Sequence, residues 1–313
     1  MAALWVLNRF EEDENHPKLR FAFQGTVNWM RALAILCSQG EFESEQLSKC
    51  YESTRRRVKN KAQDTIVFRR LVLALSDLHF LSEVKALASP YSVSRQAVIA
   101  WYYSIYNSAN AMIAAFNGQD PQTHSNAQKI WQSLLKAGVH VCFPFHLAMD
   151  GITPNQIQTV RSTNPYELNQ EPTSLEEAKG SVYSYLSGTA SWKQEYLLES
   201  IKNEPDFKAL GVSSFRTKQA REYRDIRLSK FHINFLLQAF RFRGKANYRD
   251  SLYLSYGPDN SDRITQFLED LHTVSLSFLR MVEAYVSRRV ISKDMQFFLA
   301  DLRVNAKFDI PFP

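Results

Sequence analysis

Apolar residues recur along this chain at steps of three and four, the period of one helix face. They do so over residues 24–38, 43–60, 64–88, 93–117, 125–137, 175–187, 190–203, 213–243 and 261–290. The pattern predicts an all-α fold, with 213–243 long enough to be broken once. The most regular stripe is Ile264, Phe267, Leu271, Val274, Phe278, Val282 and Tyr285, on one side of the 261–290 helix. Gly40, Pro90 and the pair Asn117-Gly118 mark helix ends, and Ser174 with Glu177 forms a capping-box signal before the 175–187 helix. A short helix is expected near 293–302. The period is lost over 138–172, which holds Pro144, Pro154, Pro165 and Pro172. That segment is expected to be irregular, with a short extended piece at 139–145. Ten glycines in 313 residues leave little material for a sheet with many tight turns.

The run from Gln96 to Gln119 carries no charge, and its length would suffice to span a bilayer. Ser104, Asn107, Ser108, Asn110 and Asn117 lie within it, so a buried core helix fits its chemistry better than a membrane span. The start, MAALWVLNRFEEDE, turns acidic by residue 11 and lacks the basic-then-apolar order of a signal peptide. Cys37, Cys50 and Cys142 are far apart in sequence and form no CxxC pair, which points to a reducing compartment. A cytoplasmic, membrane-free protein is expected. His140, Cys142 and His146 sit close together between apolar flanks and are read as core residues, so neither a metal nor a cofactor is expected. Nucleotide-binding glycine loops, GxSxG and HExxH are absent.

Charge changes the picture. The chain carries 38 Lys and Arg against 32 Asp and Glu, a formal +6. The excess is concentrated between Arg216 and Arg249: Arg216, Lys218, Arg221, Arg224, Arg227, Lys230, Arg241, Arg243, Lys245 and Arg249 face only Glu222 and Asp225. Arg221, Arg224 and Arg227, three apart, share roughly one helix face. Tyr223, Phe231, Phe240, Phe242 and Tyr248 are interleaved with the cations. Such a surface suits RNA, single-stranded or structured: cations neutralise phosphates and aromatics stack on bases. Four to six phosphate contacts would give a log–log salt slope of roughly −3 to −4. The competing reading is a solvated face whose aromatics belong to the core. Arg227 precedes His232 by five positions. An arginine stabilises charge on phosphorus and a histidine moves a 2′-hydroxyl proton near neutral pH.

Residues 94–130 read as a helix with the pair Tyr102-Tyr103 and the small residues Ala109 and Ala111, then a loop ending in Thr123-His124-Ser125. Later come Asn247-Tyr-Arg-Asp250, Leu254-Ser-Tyr-Gly-Pro-Asp259 and a long amphipathic helix. These two blocks, 93–137 and 245–290, resemble small prokaryotic HEPN domains. The resemblance implies a helical bundle, usually homodimeric, with 1–92 as an added helical region, 138–244 as a large insertion and 291–313 as a C-terminal helix and tail. It implies metal-independent ribonucleases of antiviral defence or toxin systems, or non-catalytic RNA-binding subunits that work with a partner protein from the same operon. The family's active members use an Arg and a His four to six positions later. Here the matching turn offers Arg249, but Tyr256 stands where the His is wanted, and its reference pKa is about 10 against about 6.5. Either the catalytic pair has moved to Arg227 and His232, or the domain binds without cutting. A helical protein–protein module with no nucleic-acid role is a third expectation. Beside these candidates, His124 is read as packing next to a capping Thr123 or Ser125.

Overall fold

A computed structural model describes residues 19–85, 89–248 and 260–311, together with positions 5, 9, 12 and 254. Among them it shows twelve α-helices and one two-residue strand pair. In chain order these are α1 (Leu19–Cys37), α2 (Ser44–Cys50), α3 (Lys61–Val84), α4 (Ser94–Asn117), α5 (His124–Lys136), β1 (Met149–Asp150), α6 (Pro154–Thr163), α7 (Leu175–Lys202), α8 (Pro205–Lys208), α9 (Lys218–Leu228), β2 (His232–Ile233), α10 (Phe235–Tyr248), α11 (Ser261–Arg289) and α12 (Ser292–Asn305). The chain is all-α. No described helix is long and apolar enough to cross a membrane.

The uncharged run is α4, a core helix enclosed by α3, α10 and α11. Eighteen of its residues are buried, and alanine or serine fills many of those positions, so neighbouring backbones approach closely. Several of its polar groups are paired, although the Ser108 hydroxyl and the Asn110 amide are buried without a partner among the described residues. Ser104 donates to the Ala74 carbonyl, Tyr106 donates to the Pro121 carbonyl, and Asn107 accepts from Arg70. Arg70 also grips Asp120 at 2.6 Å, tying α3 to the loop after α4. Gly118 ends α4 with φ +79°, a left-handed conformation that suits glycine. Arg289 then reaches across to the Ala115 and Phe116 carbonyls, which no helical N–H can satisfy.

α1 packs against α11 and α7. Its Trp29 is fully enclosed: stacked on Tyr185 at 4.0 Å, and in contact with Trp101, Phe235 and Phe242. One apolar cluster therefore runs from Val27 to Leu302, and no core boundary falls at residue 92. A second, smaller cluster holds Met149, Ile152, Ile157, Leu186, Leu197, Ile201, Phe207, Leu228 and Ile233. Part of the 138–244 stretch thus forms a second core around the C-terminal half of α7, while Phe145, Tyr185, Phe235 and Phe242 belong to the main one.

Four elements differ from expectation. α7 runs unbroken from Leu175 to Lys202, through Gly188, because packing on both cores outweighs one glycine. Residues 154–163 are helical rather than irregular: Pro154 is at the first helical position, and Thr153 with Gln156 closes a capping box. The extended piece lies at 149–150, not 139–145, and α2 stops at Cys50 rather than near residue 60.

Two measurements check this packing. A Cβ at Gly188 would meet nothing within 4 Å, so Gly188→Ala should raise unfolding free energy by about 0.5–1 kcal/mol in urea titrations. His272, held to about 4 by burial and by Lys85 and Arg280, stays neutral in the fold while the unfolded chain takes up a proton near 6.5. Its contribution is lost as pH falls from 6.5 towards 4. Asp77 and Asp270, raised to about 6 by burial, act in the opposite direction. His272→Gln should therefore gain stability relative to the parent chain at pH 5 compared with pH 7.

Candidate nucleic-acid interface

The strand pair is short, yet it places two candidate side chains together. β1 and β2 run antiparallel with Met149 opposite Ile233 and Asp150 opposite His232. Residues directly opposite share a face, and successive residues alternate. Met149 and Ile233 therefore enter the second core together, while Asp150 and His232 project together on the other side. His232 Nδ1 lies 2.8 Å from Asp150 Oδ1, an ion-pair distance without hydrogen-bond alignment. The pairing continues through the Gly151 N–H to the Phe231 carbonyl and the Ile152 N–H to the Leu228 carbonyl.

The last two turns of α5 complete the cluster. Lys136 Nζ stands 3.3 Å from His232 Nε2 and 3.5 Å from Asp150 Oδ1. Gln132, one turn earlier, donates to Asp150 at 3.2 Å. Asn234, buried, donates to the Gln128 carbonyl and to Gln132 Oε1, and its own Oδ1 accepts from the Leu237 N–H at the start of α10. One amide thus starts α10 and locks α5 beside β2. The resulting cavity, about 370 Å³, is walled by Lys129, Lys136, Lys193, Lys230, Phe231 and His232 among others. Burial holds the Lys193 ammonium below its ordinary range, and Lys193 lies over Tyr196 at 5.0 Å. Four lysines and His232 line this cavity, and of the lysines Lys136 is the one paired with Asp150.

The predicted cations do not form one array. Lys230 and His232 join this cavity. Arg227 does not: its Nε lies 2.8 Å from Glu204, its Nη2 3.6 Å from Asp206, and it donates to the Tyr223 hydroxyl. A guanidinium held by two carboxylates is spent on joining α9 to α8, so the Arg227–His232 pair is not assembled. Arg224 pairs with Asp225 and covers Phe215, Arg221 donates to the Arg216 carbonyl, and Lys218 reaches Glu222 at 3.9 Å. Arg241 and Arg243, two apart and so about 200° around the helix, face opposite neighbours. Arg241 donates to Thr189 and covers Trp192 on α7, whereas Arg243 covers Tyr102 and Phe240 at 4.8 and 5.1 Å. Lys245 lies on the last turns of α10. Arg249 and Tyr256 fall outside the described residues.

Near the start of α5, Thr123 caps the helix, accepting from the Asn126 N–H. His124 packs among Tyr102, Tyr103, Tyr106 and Phe240, with Nδ1 2.7 Å from the Tyr102 hydroxyl. Burial and the Arg243 charge hold His124 below its ordinary pKa, so it stays neutral near pH 7. The expectation that His140, Cys142 and His146 are all core residues is corrected. Cys142 is buried, but both histidines are exposed on the rim of a cavity that also holds Cys50. The apolar neighbours Val141 and Phe145 take the inward positions instead.

Sequence reasoning missed Asp150, Lys129, Lys136 and Lys193. Gln128, Lys129, Gln132, Ser133 and Lys136 follow a helical period on the polar side of α5, so that face was visible. The approach of Asp150 to His232 across 82 positions had no local signal.

Asn234→Ala should lower stability by about 1–3 kcal/mol, because it removes a helix cap and orphans buried amide partners. Denaturant titration checks the size. Comparison with protein-family models, curated proteins and solved structures finds no match among any of them.

Proposed function

We propose that this chain binds RNA in the lysine-walled cavity between α5, α7 and β2, and that His232 acts there as the base of a metal-independent endoribonuclease. The observation that carries this reading is the alignment of Asp150, His232 and Lys136 in one cluster. A carboxylate beside Nδ1 favours the proton on that nitrogen, so the Nε2 lone pair accepts from Lys136 in the free chain and becomes open to substrate when the Lys136 ammonium turns to a phosphate. Nε2 is then the acceptor for a 2′-hydroxyl proton. The 2′-oxygen attacks the adjacent phosphorus, the bond to the 5′-oxygen breaks, and the leaving oxygen takes a proton from Lys136 or water. The products are a 2′,3′-cyclic phosphate and a 5′-hydroxyl. Lys129, Lys136 and Lys230 supply positive charge where it builds on phosphorus. The HEPN-like blocks noted in the sequence support the same class of chemistry, with lysines in the role expected of an arginine.

A second reading keeps the RNA and drops the chemistry. It is favoured by the single histidine lining the cavity, which leaves the acid role to a lysine.

Binding and cleavage of a labelled single strand, measured in EDTA, separate these readings. Lys129→Glu with Lys230→Glu should weaken binding at least tenfold and flatten a log–log salt slope of roughly −3 by about one unit or more. His232→Ala should abolish cleavage with binding retained, and Arg227→Gln should leave both unchanged. Chelator-resistant binding without cleavage would select the non-catalytic reading. An RNA affinity indifferent to the double charge reversal would end both.

A further inference from the structure

A chemically specific cluster among the described residues lies away from the lysine-walled cavity. Cys50 is the last residue of α2, and His140 and Cys142 lie in the segment between α5 and β1. Ninety positions of chain separate Cys50 from His140, yet the ligand atoms of Cys50, His140 and Cys142 all lie within 4.8 Å of one another. Cys142 Sγ is 3.8 Å from His140 Nε2. In a tetrahedral zinc centre, with bonds of about 2.3 Å to sulfur and 2.0–2.1 Å to nitrogen, ligand atoms stand roughly 3.5–3.8 Å apart. The three atoms are therefore near that spacing, and an inward shift of up to about 1 Å would complete it.

The surroundings hold these ligands from outside. The Tyr51 hydroxyl donates to the His140 carbonyl at 3.1 Å, and the Tyr51 ring meets Tyr285 of α11 edge-on. The Cys142 N–H donates to Met281 Sδ, also on α11. Both ligand-bearing segments are thus docked on one long helix. The cluster opens into a cavity of about 580 Å³, whose walls include Glu41 and His146 and contain no lysine or arginine. A dication placed there meets a carboxylate and an imidazole, and no lining cation opposes it.

We propose that Cys50, His140 and Cys142 form a zinc-binding site, with the fourth coordination position filled from the cavity by water or by His146. Two thiolates and an imidazole suit zinc and disfavour the hard cations magnesium and calcium. The ion would cross-link the end of α2 to the segment before β1.

The test uses the full-length chain, purified in reducing buffer and freed of metal. Zinc is titrated in competition with a chromophoric chelator, and cobalt(II) serves as the spectroscopic probe. One equivalent of zinc should bind, and cobalt should show the visible bands of a tetrahedral site with thiolate charge transfer in the near ultraviolet. Cys50→Ser, at an exposed position, should keep the helical circular dichroism and lose affinity by at least roughly a hundredfold. Cys142→Ser should behave alike, and its cobalt complex should lose charge-transfer intensity. No stoichiometric uptake, cobalt bands without thiolate character, or zinc affinity indifferent to Cys50→Ser would overturn the proposal. Recovery of the chain from reducing buffer with a Cys50–Cys142 disulfide and no zinc would also overturn it. These readouts do not depend on RNA, so a failure here leaves the lysine-walled cavity untouched.

Discussion

The enclosure of α4 is the constraint on which the rest of the molecule depends. A helix of 24 residues with no charged side chain beyond its first turn cannot remain in water, and its alanines and serines leave no bulky stripe to direct one partner. It must be covered on every side. α3 lies antiparallel to it, with Ala74 meeting Ser104 and Arg70 meeting Asn107, while α10 and α11 cover the remainder. Burial of its C-terminal turn would strand backbone carbonyls, and Arg289 at the far end of α11 removes that cost. α3 and α11 thus both cover this helix and satisfy its polar groups, and α10 covers it as well.

From that centre the geometry passes outward through aromatic contacts. Trp29 brings α1, α4, α7 and α10 to a common point, which fixes the direction in which α7 leaves the main core. α7 then carries Leu186, Ala190, Leu197 and Ile201 into the second core, against which the strand pair rests. His232 consequently sits on a two-residue ladder between two rigid bodies of packed side chains. A loop histidine would sample many orientations. The opposite pairing with Asp150 and the Asn234 lock to α5 hold this one in a narrow range.

The helices were largely legible because their signals are local: apolar spacing, a capping box at Ser174, a glycine stop at Gly118. The same local grammar was misread at Pro154, among other places, where a proline taken as a break is the first residue of a helix. The candidate sites were less legible, for a physical reason. Charge density along a sequence counts cations without saying which carboxylate will come near each one. Glu204 and Asp206, outside the basic stretch, claim Arg227, and Asp150 comes to His232 from a different segment. The Cys50, His140 and Cys142 cluster was hidden likewise, since its spacing has no motif and exists only after α2 folds onto α11.

The distribution of cations follows a rule that depends on side-chain chemistry. Arginines serve as internal connectors: Arg31 to Asp270, Arg57 to Asp64, Arg70 to Asp120, Arg227 to Glu204, Arg241 to Thr189. A planar guanidinium with five donors satisfies several acceptors at once and tolerates partial burial beside aromatic rings. The lysine-walled cavity instead gathers Lys129, Lys136, Lys193 and Lys230. Ammonium groups are strongly hydrated point charges on flexible stems, and they hold a carboxylate less rigidly than a guanidinium fork does. A surface that met phosphates of varying geometry, as proposed for this cavity, would gain from charges that the fold has not already committed. Asp150 stands beside the cavity, where it meets both Lys136 and His232. The sum of charge in a sequence therefore matters less than the division between cations the fold consumes and cations it leaves available.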